Sequence, residues 1–150
     1  MLDTAVDTNI LIYTHLDTFK EHVACREALE SLLGDDAQRM VLTPQIFNEL
    51  VHIVTDRRRF EHPLTVTEAL KLCRGYLGRS NVLVIASDEV DLINSWALMD
   101  AHHLGRNRLA DTLLATTLRR HDIRRLFTRN VADFKIFPFL EPIDPTVTED

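Results

Sequence analysis

The chain has 150 residues, 45% of them hydrophobic, and a formal net charge of -6 at pH 7. This length and hydrophobic fraction are typical of one domain with a continuous core, which excludes a disordered chain and a small disulfide-stabilised scaffold. An acidic protein also lacks the general electrostatic attraction to nucleic acid that a basic protein has. We therefore expect a single folded domain over residues 1–150.

Short apolar runs alternate with helical segments in the first half of the chain. Gly34 is typical of a helix C-cap, and Thr43-Pro44 combines an N-cap with proline at the first helical position, where its missing N–H group costs nothing. The predicted elements here are a strand over 4–7, helices from about residue 9 and over roughly 21–33, a strand over 40–42, and a helix from 44 to about 57.

The second half continues the alternation. Thr65 and Glu68 have the spacing of a capping box, and the continuous apolar run 82–85 is typical of a strand that is buried on both faces. Ser87 is predicted to cap the next helix, and Trp96 is expected in the core with most phenylalanines. The predicted elements are a helix from 65 to about 75 or 78, a strand over 82–85, a helix after 87, a helix over about 109–121, a strand over 126–128, and an edge strand but no helix in the proline-containing tail.

This alternation of strands and helices predicts βαβ units. The expected fold class is α/β, with a central, mostly parallel sheet of four to five short strands covered on both faces. Ligands bind such sheets outside the carboxyl ends of the strands, where the strand order reverses. Asp7 ends the first strand, and Asn130 and Asp133 follow the last central strand, so we expect them at one edge of the sheet.

Four acidic residues occur in positions that suggest chemistry: Asp7, Glu49, Asp111 and Asp133. Glu49 is predicted at the border of a helix's apolar stripe. Asp111 also has an ordinary explanation, since an acid in the first turn of a helix is stabilised by the dipole by ~0.3–1 kcal/mol, and Asp133 could equally be a turn residue. If they converge, two charges at ~4 Å repel by about 4 kcal/mol at an effective dielectric constant of ~20. Such a cluster favours a hard divalent cation, Mg²⁺ or Mn²⁺, which takes oxygen ligands.

The same residues carry a resemblance to a known family. The segments "VDTNIL" around Asp7, a helical Glu49 after a Thr-Pro turn, "LADTLLA" around Asp111 and "TRNVADF" around Asp133 occur in the order found in PIN domains. Nearly the whole chain resembles this family, and especially the VapC-type ribonuclease toxins of bacterial toxin–antitoxin pairs. The resemblance implies a three-layer α/β/α sandwich and a Mg²⁺- or Mn²⁺-dependent endoribonuclease. It also implies a homodimer and inhibition by a small cognate antitoxin.

The resemblance also assigns roles to single positions. Asp7 and Asp111 would bind the ion directly, whereas Glu49 and Asp133 would bind it directly or through water. The ion would activate water for attack on an RNA phosphodiester. Because Asn130 stands where some members have a further carboxylate, we expect one metal in the free enzyme. The catalytic and metal-binding residues are thus expected to be Asp7, Glu49, Asp111 and Asp133, supported by Asn9, Thr128 and Asn130.

Arginine dominates the basic residues, with clusters at 57–59, 106–108, 119–120 and 124–129. Its planar fork suits phosphate recognition. Arg108 and Arg129, next to the acidic motifs, are candidates for RNA binding, with pairing to surface acids as the alternative. Single-stranded or looped RNA is the expected substrate, because a splayed backbone reaches a shallow site more easily than a duplex does.

Other interpretations of the sequence stay open. Glu49 and His52 form an E-x-x-H motif, which in di-metal helical bundles requires a second copy. The pairs His102-His103 and His121-Asp122 suggest a metal-dependent phosphohydrolase. The chain could also be a non-catalytic PIN-like interaction module, or a PIN nuclease of RNA maturation rather than a toxin.

The cellular setting is indicated by the cysteines and the N-terminal residues. Cys25 and Cys73 lie far apart and form no CxxC pair, which favours a reduced compartment over a secreted or zinc-stabilised fold. Asp3 and Asp7 lie where a signal peptide would be basic and then apolar, and no run approaches the ~18 apolar residues of a membrane span. The sequence therefore predicts a soluble, cytoplasmic protein with no membrane partner.

Overall fold

A computed structural model of the chain describes residues 1–147. Its strands are β1 (Leu2–Val6), β2 (Gln38–Leu42), β3 (Val82–Val84), β4 (Arg125–Phe127) and β5 (Glu141–Ile143). Its helices are α1 (Thr8–His15), α2 (His22–Leu33), α3 (Pro44–Val54), α4 (Val66–Leu77), α5 (Glu89–Ala101), α6 (Leu109–Arg120) and α7 (Val131–Phe134), with a 3-10 turn at Arg106–Arg108 before α6. The strands form one sheet in the order β3-β2-β1-β4-β5, and every neighbouring pair is parallel.

Helices cover both faces of this sheet, because neighbouring residues of a strand point to opposite sides. Val6 belongs to an apolar cluster with residues of α1 to α4, whereas Ala5 belongs to a second cluster with residues of α6. Met40 and Val41 of β2 divide between the same two clusters. The predicted α/β/α sandwich around a parallel sheet is therefore confirmed.

The order of the strands corrects one prediction. The run at 82–85 was expected to be buried on both faces, but β3 lies at an edge of the sheet and Val84 is 39% exposed. Only Ile85, just after the strand, is buried in the core. An apolar run indicates that part of a strand is buried, but it does not determine whether the strand lies at the centre or at the edge of the sheet. The edge strand predicted in the tail is confirmed as β5.

Most predicted helix starts agree with the structure. The side chain of Thr43 accepts a hydrogen bond from the N–H of Ile46 at 3.2 Å, and Thr65 and Glu68 form both bonds of the capping box. Ser87 was the wrong cap for α5. Asp88 is the cap, and Ser87 instead bonds the hydroxyl of Thr117 on α6 at 2.7 Å.

Two features of the second half were not anticipated. The four-residue helix α7 is too short to show a helical periodicity in the sequence. Trp96 was expected in the core, but it is 52% exposed and shares one side of α5 with the exposed residues Val90 and Ile93.

A buried carboxylate joins α5 to α6. Asp91 is fully buried, and both of its oxygens accept hydrogen bonds from Nε of Arg120, at 2.9 and 3.0 Å. Burial by itself raises the pKa of Asp91, but the bonds from Arg120 and from the N–H of Asp88 outweigh it and hold the pKa below 3.8. Arg120 also donates to the carbonyl of Ala86, so this one side chain connects two helices and the end of β3.

None of the helices within residues 1–147 has the length and apolar character that would be needed to cross a membrane.

Candidate active site

The acidic residues meet at the point where the strand order reverses. From β1 the chain moves outward on one side to β2 and β3, and then returns to place β4 and β5 on the other side. The crevice beyond the carboxyl ends of β1 and β4 is the usual ligand site of such a sheet. Asp7 directly follows β1, and Thr128 directly follows β4.

Asp7 is held in a fixed orientation at this crevice. As the N-cap of α1, its Oδ1 accepts a hydrogen bond from the N–H of Thr8 at 2.8 Å. Its Oδ2 accepts bonds from the hydroxyl of Thr128 at 2.8 Å and from the amide of Asn9 at 3.4 Å. Burial raises the pKa of Asp7 above 3.8 even though the bonds from Thr128 and Thr8 act in the opposite direction, and the nearby charge of Glu49 raises the pKa further.

Glu49 reaches the crevice from α3. Ile46 and Leu50 turn the apolar side of this helix into the core, and the exposed Glu49 lies next to that side, as predicted. Its Oε2 accepts a hydrogen bond from the hydroxyl of Thr8 at 3.2 Å. Thr8 thus connects two acids, since its N–H bonds Asp7.

Asp111 approaches from the first turn of α6. Its pKa is raised from 3.8 to about 6, first by burial and then by the negative charge of Asp7, with smaller contributions of the same sign from Asp133 and Glu49. Only Arg108 lowers it. The dipole of α6 would favour the charged form of Asp111, so the raised pKa shows that burial, together with the negative charge of the neighbouring carboxylates, outweighs the ordinary role of an acid at a helix start.

The raised pKa of Asp111 predicts how stability changes with pH in the metal-free protein. Below pH 3.8 Asp111 is protonated in both the folded and the unfolded state, and between pH 3.8 and about 6 only the unfolded chain loses the proton. The wild type should therefore lose stability as pH rises through this window, by ~1–3 kcal/mol after allowance for solvent screening. Asp111→Asn lacks this loss. We expect the free energy of unfolding of the variant, relative to wild type, to increase by that amount between pH 4 and pH 7 in urea titrations with chelator present. A constant difference across that range would contradict the raised pKa of Asp111.

Asp133 lies at the rim of the site, in α7. Its side chain is 47% exposed and its Oδ1 lies 3.8 Å from Nη1 of Arg108. A second nitrogen of Arg108 donates to the carbonyl of Asp133. Arg108 is thus fixed against α7. From there its positive charge offsets part of the negative charge of Asp111 and Asp133.

The loop after β4 is held by a network that includes the remaining predicted residues. The hydroxyl of Thr128 donates to Asp7 and accepts the N–H of Asn130 at 3.0 Å, and Asn9 accepts the N–H of Arg129 at 3.3 Å. The side chain of Asn130 is exposed. Both asparagines line the cavity beside the acids.

Arg129 points away from the acids towards the C-terminal segment. Its Nη1 bonds Oδ2 of Asp144 at 2.7 Å and the hydroxyl of Thr146 at 2.6 Å, and its Nη2 lies 3.5 Å from Glu21. The structure therefore shows the ion pairing that was the alternative to RNA binding for this residue.

The donor set suits a hard divalent cation. Asp7, Glu49 and Asp111 line one small cavity, and within the described part of the chain none of them forms an ion pair within 4.0 Å. Across residues 1–147, however, no three acidic, histidine or cysteine side chains lie close enough to hold a metal together as they stand. A cation would thus be held directly by one or two carboxylates and reach the others through water, which is how Mg²⁺ usually binds.

The other metal-binding interpretations find no support in the part of the chain that the structure describes. Glu49 and His52 are both exposed on α3, and no second E-x-x-H motif faces them. His102 and His121 follow the ends of α5 and α6, and His103 lies in a turn with a φ angle of 53°.

Sequence reasoning missed Thr8 and the aromatic side chains beside the acids. Thr8 lies between two predicted residues and is buried at the start of α1. Its hydrogen bond to Glu49 depends on the packing of α1 against α3, which the sequence does not reveal. Tyr13, Phe19 and Phe60 line the adjoining cavity. Their spacing in the sequence carries no signal, because they belong to three separate segments.

The fold and this carboxylate site define a nuclease-like α/β domain of the PIN type. The family model described as "PIN domain" matches residues 4–140, and the chain belongs to that family. Over 147 residues it is 29% identical to "Ribonuclease VapC24" of Mycobacterium tuberculosis, a match that covers 97% of this chain and 98% of the relative.

Solved structures share the fold. The crystal structure of Mycobacterium tuberculosis VapC20, described as a sarcin-ricin loop cleaving toxin, has a TM-score of 0.68 at 13% identity, covering 89% of this chain and 95% of that one. VapBC-1 from nontypeable Haemophilus influenzae has a TM-score of 0.64 at 22% identity, covering 97% of this chain and all of that chain (100%). The predicted membership of the PIN family is confirmed.

Proposed function

We propose that this chain is a metal-dependent endoribonuclease of the VapC type and the toxin of a type II toxin–antitoxin pair. The observation that carries the proposal is the convergence of Asp7, Glu49 and Asp111 on one cavity at the switch point of the sheet. A relative that matches along almost the whole chain is named a ribonuclease. The chemistry of a carboxylate cluster without a side-chain nucleophile agrees with hydrolysis of a phosphodiester bond.

Asp7 and Asp111 would hold Mg²⁺ or Mn²⁺, with Glu49 and Asp133 contributing directly or through water. Bound there, the ion would supply a nucleophile from water at neutral pH and neutralise charge on the phosphoryl oxygens. Thr128 and Asn9 keep the carboxylate of Asp7 in one orientation through their hydrogen bonds. Such outer partners typically contribute ~10–100-fold to metal affinity or activity.

The proposed partners are RNA, a small cognate antitoxin and a second copy of the chain. Solved complexes from Klebsiella pneumoniae and Haemophilus influenzae that share the fold are described as a toxin–antitoxin complex and as VapBC-1. An apolar stripe on α5, formed by Val90, Ile93 and Trp96, is more than half exposed and supports a contact between two copies. We place the activity in the cytoplasm, where RNA is the substrate.

The test is cleavage of cellular RNA by the purified protein. We expect cleavage with Mg²⁺ and none with excess chelator, and we expect added Mg²⁺ to stabilise the fold by ~2.7 kcal/mol at one hundred times its dissociation constant. Thermal unfolding with and without Mg²⁺ measures the second effect. Mg²⁺-free buffer with added Na⁺ at equal ionic strength is the control for general screening.

Indifference of both cleavage and melting temperature to Mg²⁺ would contradict the nuclease proposal and favour a non-catalytic interaction module. Mapping the cleaved ends after a brief pulse of expression separates a toxin from a nuclease of RNA maturation. A toxin should cut a few essential RNAs and stop growth, whereas a maturation enzyme should trim precursors without stopping it.

A further inference from the structure

An aromatic-lined groove leads away from the carboxylates. This second cavity, of about 580 Å³, shares Asp7, Glu49 and Asp111 with the small cavity described above. Its volume lies within the ~300–1,000 Å³ range of small-ligand pockets. It is larger than the small cavity of about 100 Å³, and the proposed function leaves it without an occupant.

Three aromatic rings, those of Tyr13, Phe19 and Phe60, line the groove together with the acids. The centroids of Tyr13 and Phe19 are 4.9 Å apart at an interplanar angle of 78°, and those of Phe19 and Phe60 are 6.0 Å apart at 86°. All three rings are half-buried and pack against the core through residues of α1 and α3. They therefore present fixed aromatic surface to the groove at little entropic cost.

A basic turn borders the same groove. Arg57, Arg58 and Arg59 follow α3 and are exposed, and the side chain of Arg59 lines the groove. Arg59 has one ion pair, in which its Nε lies 3.5 Å from Asp56. Among the ion pairs within 4.0 Å in residues 1–147, none involves Arg57 or Arg58.

The turn is itself ordered by Asp56. Its Oδ1 accepts the N–H of Arg58 at 2.8 Å, and its carbonyl accepts those of Arg59 and Phe60 at 3.2 Å. The arginine backbone and the ring of Phe60 are thus held in one rigid unit. Beyond it the groove continues into a further cavity that shares Phe19, Arg59 and Phe60.

We propose that this groove binds an unpaired nucleotide of the RNA next to the cleaved phosphodiester. The inference rests on the proposed function and names the surface that positions its substrate. The base stacks on the rings of Phe60 and Tyr13, and the arginines of the turn contact phosphates farther along the strand. Aromatic platforms beside a basic track are how proteins bind single strands without reading sequence.

The charge distribution favours an anionic strand here over a neutral or basic peptide. The chain carries a net charge of -6, and the carboxylates of the site repel phosphate, so attraction must come from a local cluster of cations. Arg59 lines the groove together with the acids, and Arg57 and Arg58 precede it in the same exposed turn. Phosphates of a strand held by this turn would place a neighbouring phosphodiester next to the acids, where a bound cation would offset the repulsion between phosphate and carboxylates.

The test measures RNA binding separately from cleavage. The background is the full chain with Asp111→Asn, so that bound RNA stays intact, and the probe is a short single-stranded RNA that carries a fluorescent purine analogue. Phe60→Leu keeps apolar packing but removes the stacking surface, and Phe60→Tyr keeps the ring. Based on alanine substitutions at stacking sites, Phe60→Leu should weaken binding by about 5- to 100-fold and abolish quenching of the purine fluorescence. Phe60→Tyr should preserve both.

The double variant Arg57→Gln with Arg58→Gln tests the basic turn. Each phosphate contact on a single strand contributes about 0.7 to the slope of log affinity against log salt, so the slope should decrease by about 1.4. Arg124→Gln is the matched control, because Arg124 is exposed and precedes β4 at the amino-terminal ends of the strands, whereas Asp7 follows the carboxyl end of β1. It should leave the affinity and the slope unchanged.

The outcomes separate this proposal from the one on which it rests. Thermal melting shows first whether Phe60→Leu and the double arginine variant are folded. If both folded variants bind RNA as well as the Asp111→Asn background does, this inference is wrong and the groove belongs to another occupant, such as a protein partner. The nuclease proposal stands in that case. If the wild type neither cleaves nor binds RNA, both proposals fail together.

Discussion

Asp7→Asn is expected to reduce RNA cleavage by more than the ~100-fold that loss of an outer partner of a metal site can cost. Asp7 is the acid with the most contacts at the site, since it accepts three hydrogen bonds from the two segments that follow β1 and β4. An amide at this position keeps the shape but removes the charge that would bind a cation, and it replaces one accepting oxygen by an NH₂ donor that faces other donors. Single-turnover cleavage of a labelled RNA at saturating Mg²⁺ measures the effect.

Two controls show whether the loss is specific to chemistry. Without Mg²⁺, Asp7→Asn should melt no lower than the wild type, because burial and Glu49 already disfavour the charged form of Asp7. Thr128→Val, which removes only the hydroxyl that orients Asp7, should lie within the ~10–100-fold range. Asp7→Asn with near-normal cleavage would show that the acids do not form the catalytic centre.

Arg120→Met, outside the site, is expected to destabilise the fold by about 2–4 kcal/mol. Removal of one partner from a buried ion pair leaves an uncompensated charge, which costs ~3–5 kcal/mol when the pair is fully buried. The expected loss of about 2–4 kcal/mol is smaller than this cost because the side chain of Arg120 is partly exposed. The variant leaves Asp91 fully buried, with the N–H group of Asp88 as its remaining backbone donor. Urea denaturation at pH 7 measures the loss.

The pH dependence of this loss follows from the pKa of Asp91. Because the folded-state pKa lies below 3.8, the pair contributes its stabilisation above that pH and loses it as the pH falls through the folded value. The difference between Arg120→Met and wild type should therefore shrink in acid. Arg26→Met, which breaks an exposed pair with Glu30 in α2, should change stability by ~0.5 kcal/mol or less. An equal effect of both changes at pH 7 would show that burial of Asp91 carries no penalty.

The sequence predicted the layers and the edge of the sheet where the acids meet, because both follow from local patterns. Asp7 ends an apolar run and Thr128 ends another, and parallel strands bring their carboxyl ends together. The order of the strands could not be predicted from these local patterns. The run at 82–85 looked like a central strand, since burial of a residue depends on which strand pairs beside it and not on its own side chain.

The roles of single charged residues were equally hard to predict. Arg129 was a candidate for RNA, yet it pairs with Asp144, which lies beyond the last strand and carried no motif. Asp111 has an ordinary place in the first turn of a helix, and its pKa is raised to about 6 first by burial and then by the approach of Asp7 and Asp133 from other segments. Such effects depend on distances between segments that no local spacing contains.

The bond between Thr128 and Asp7 joins positions 121 residues apart, and it has a consequence for biosynthesis. β1 is synthesised well before its neighbour β4, and the two strands can pair only after the chain between them has left the ribosome. A nascent chain without β4 therefore cannot orient Asp7 through Thr128, and under the proposed function it would carry no complete nuclease site.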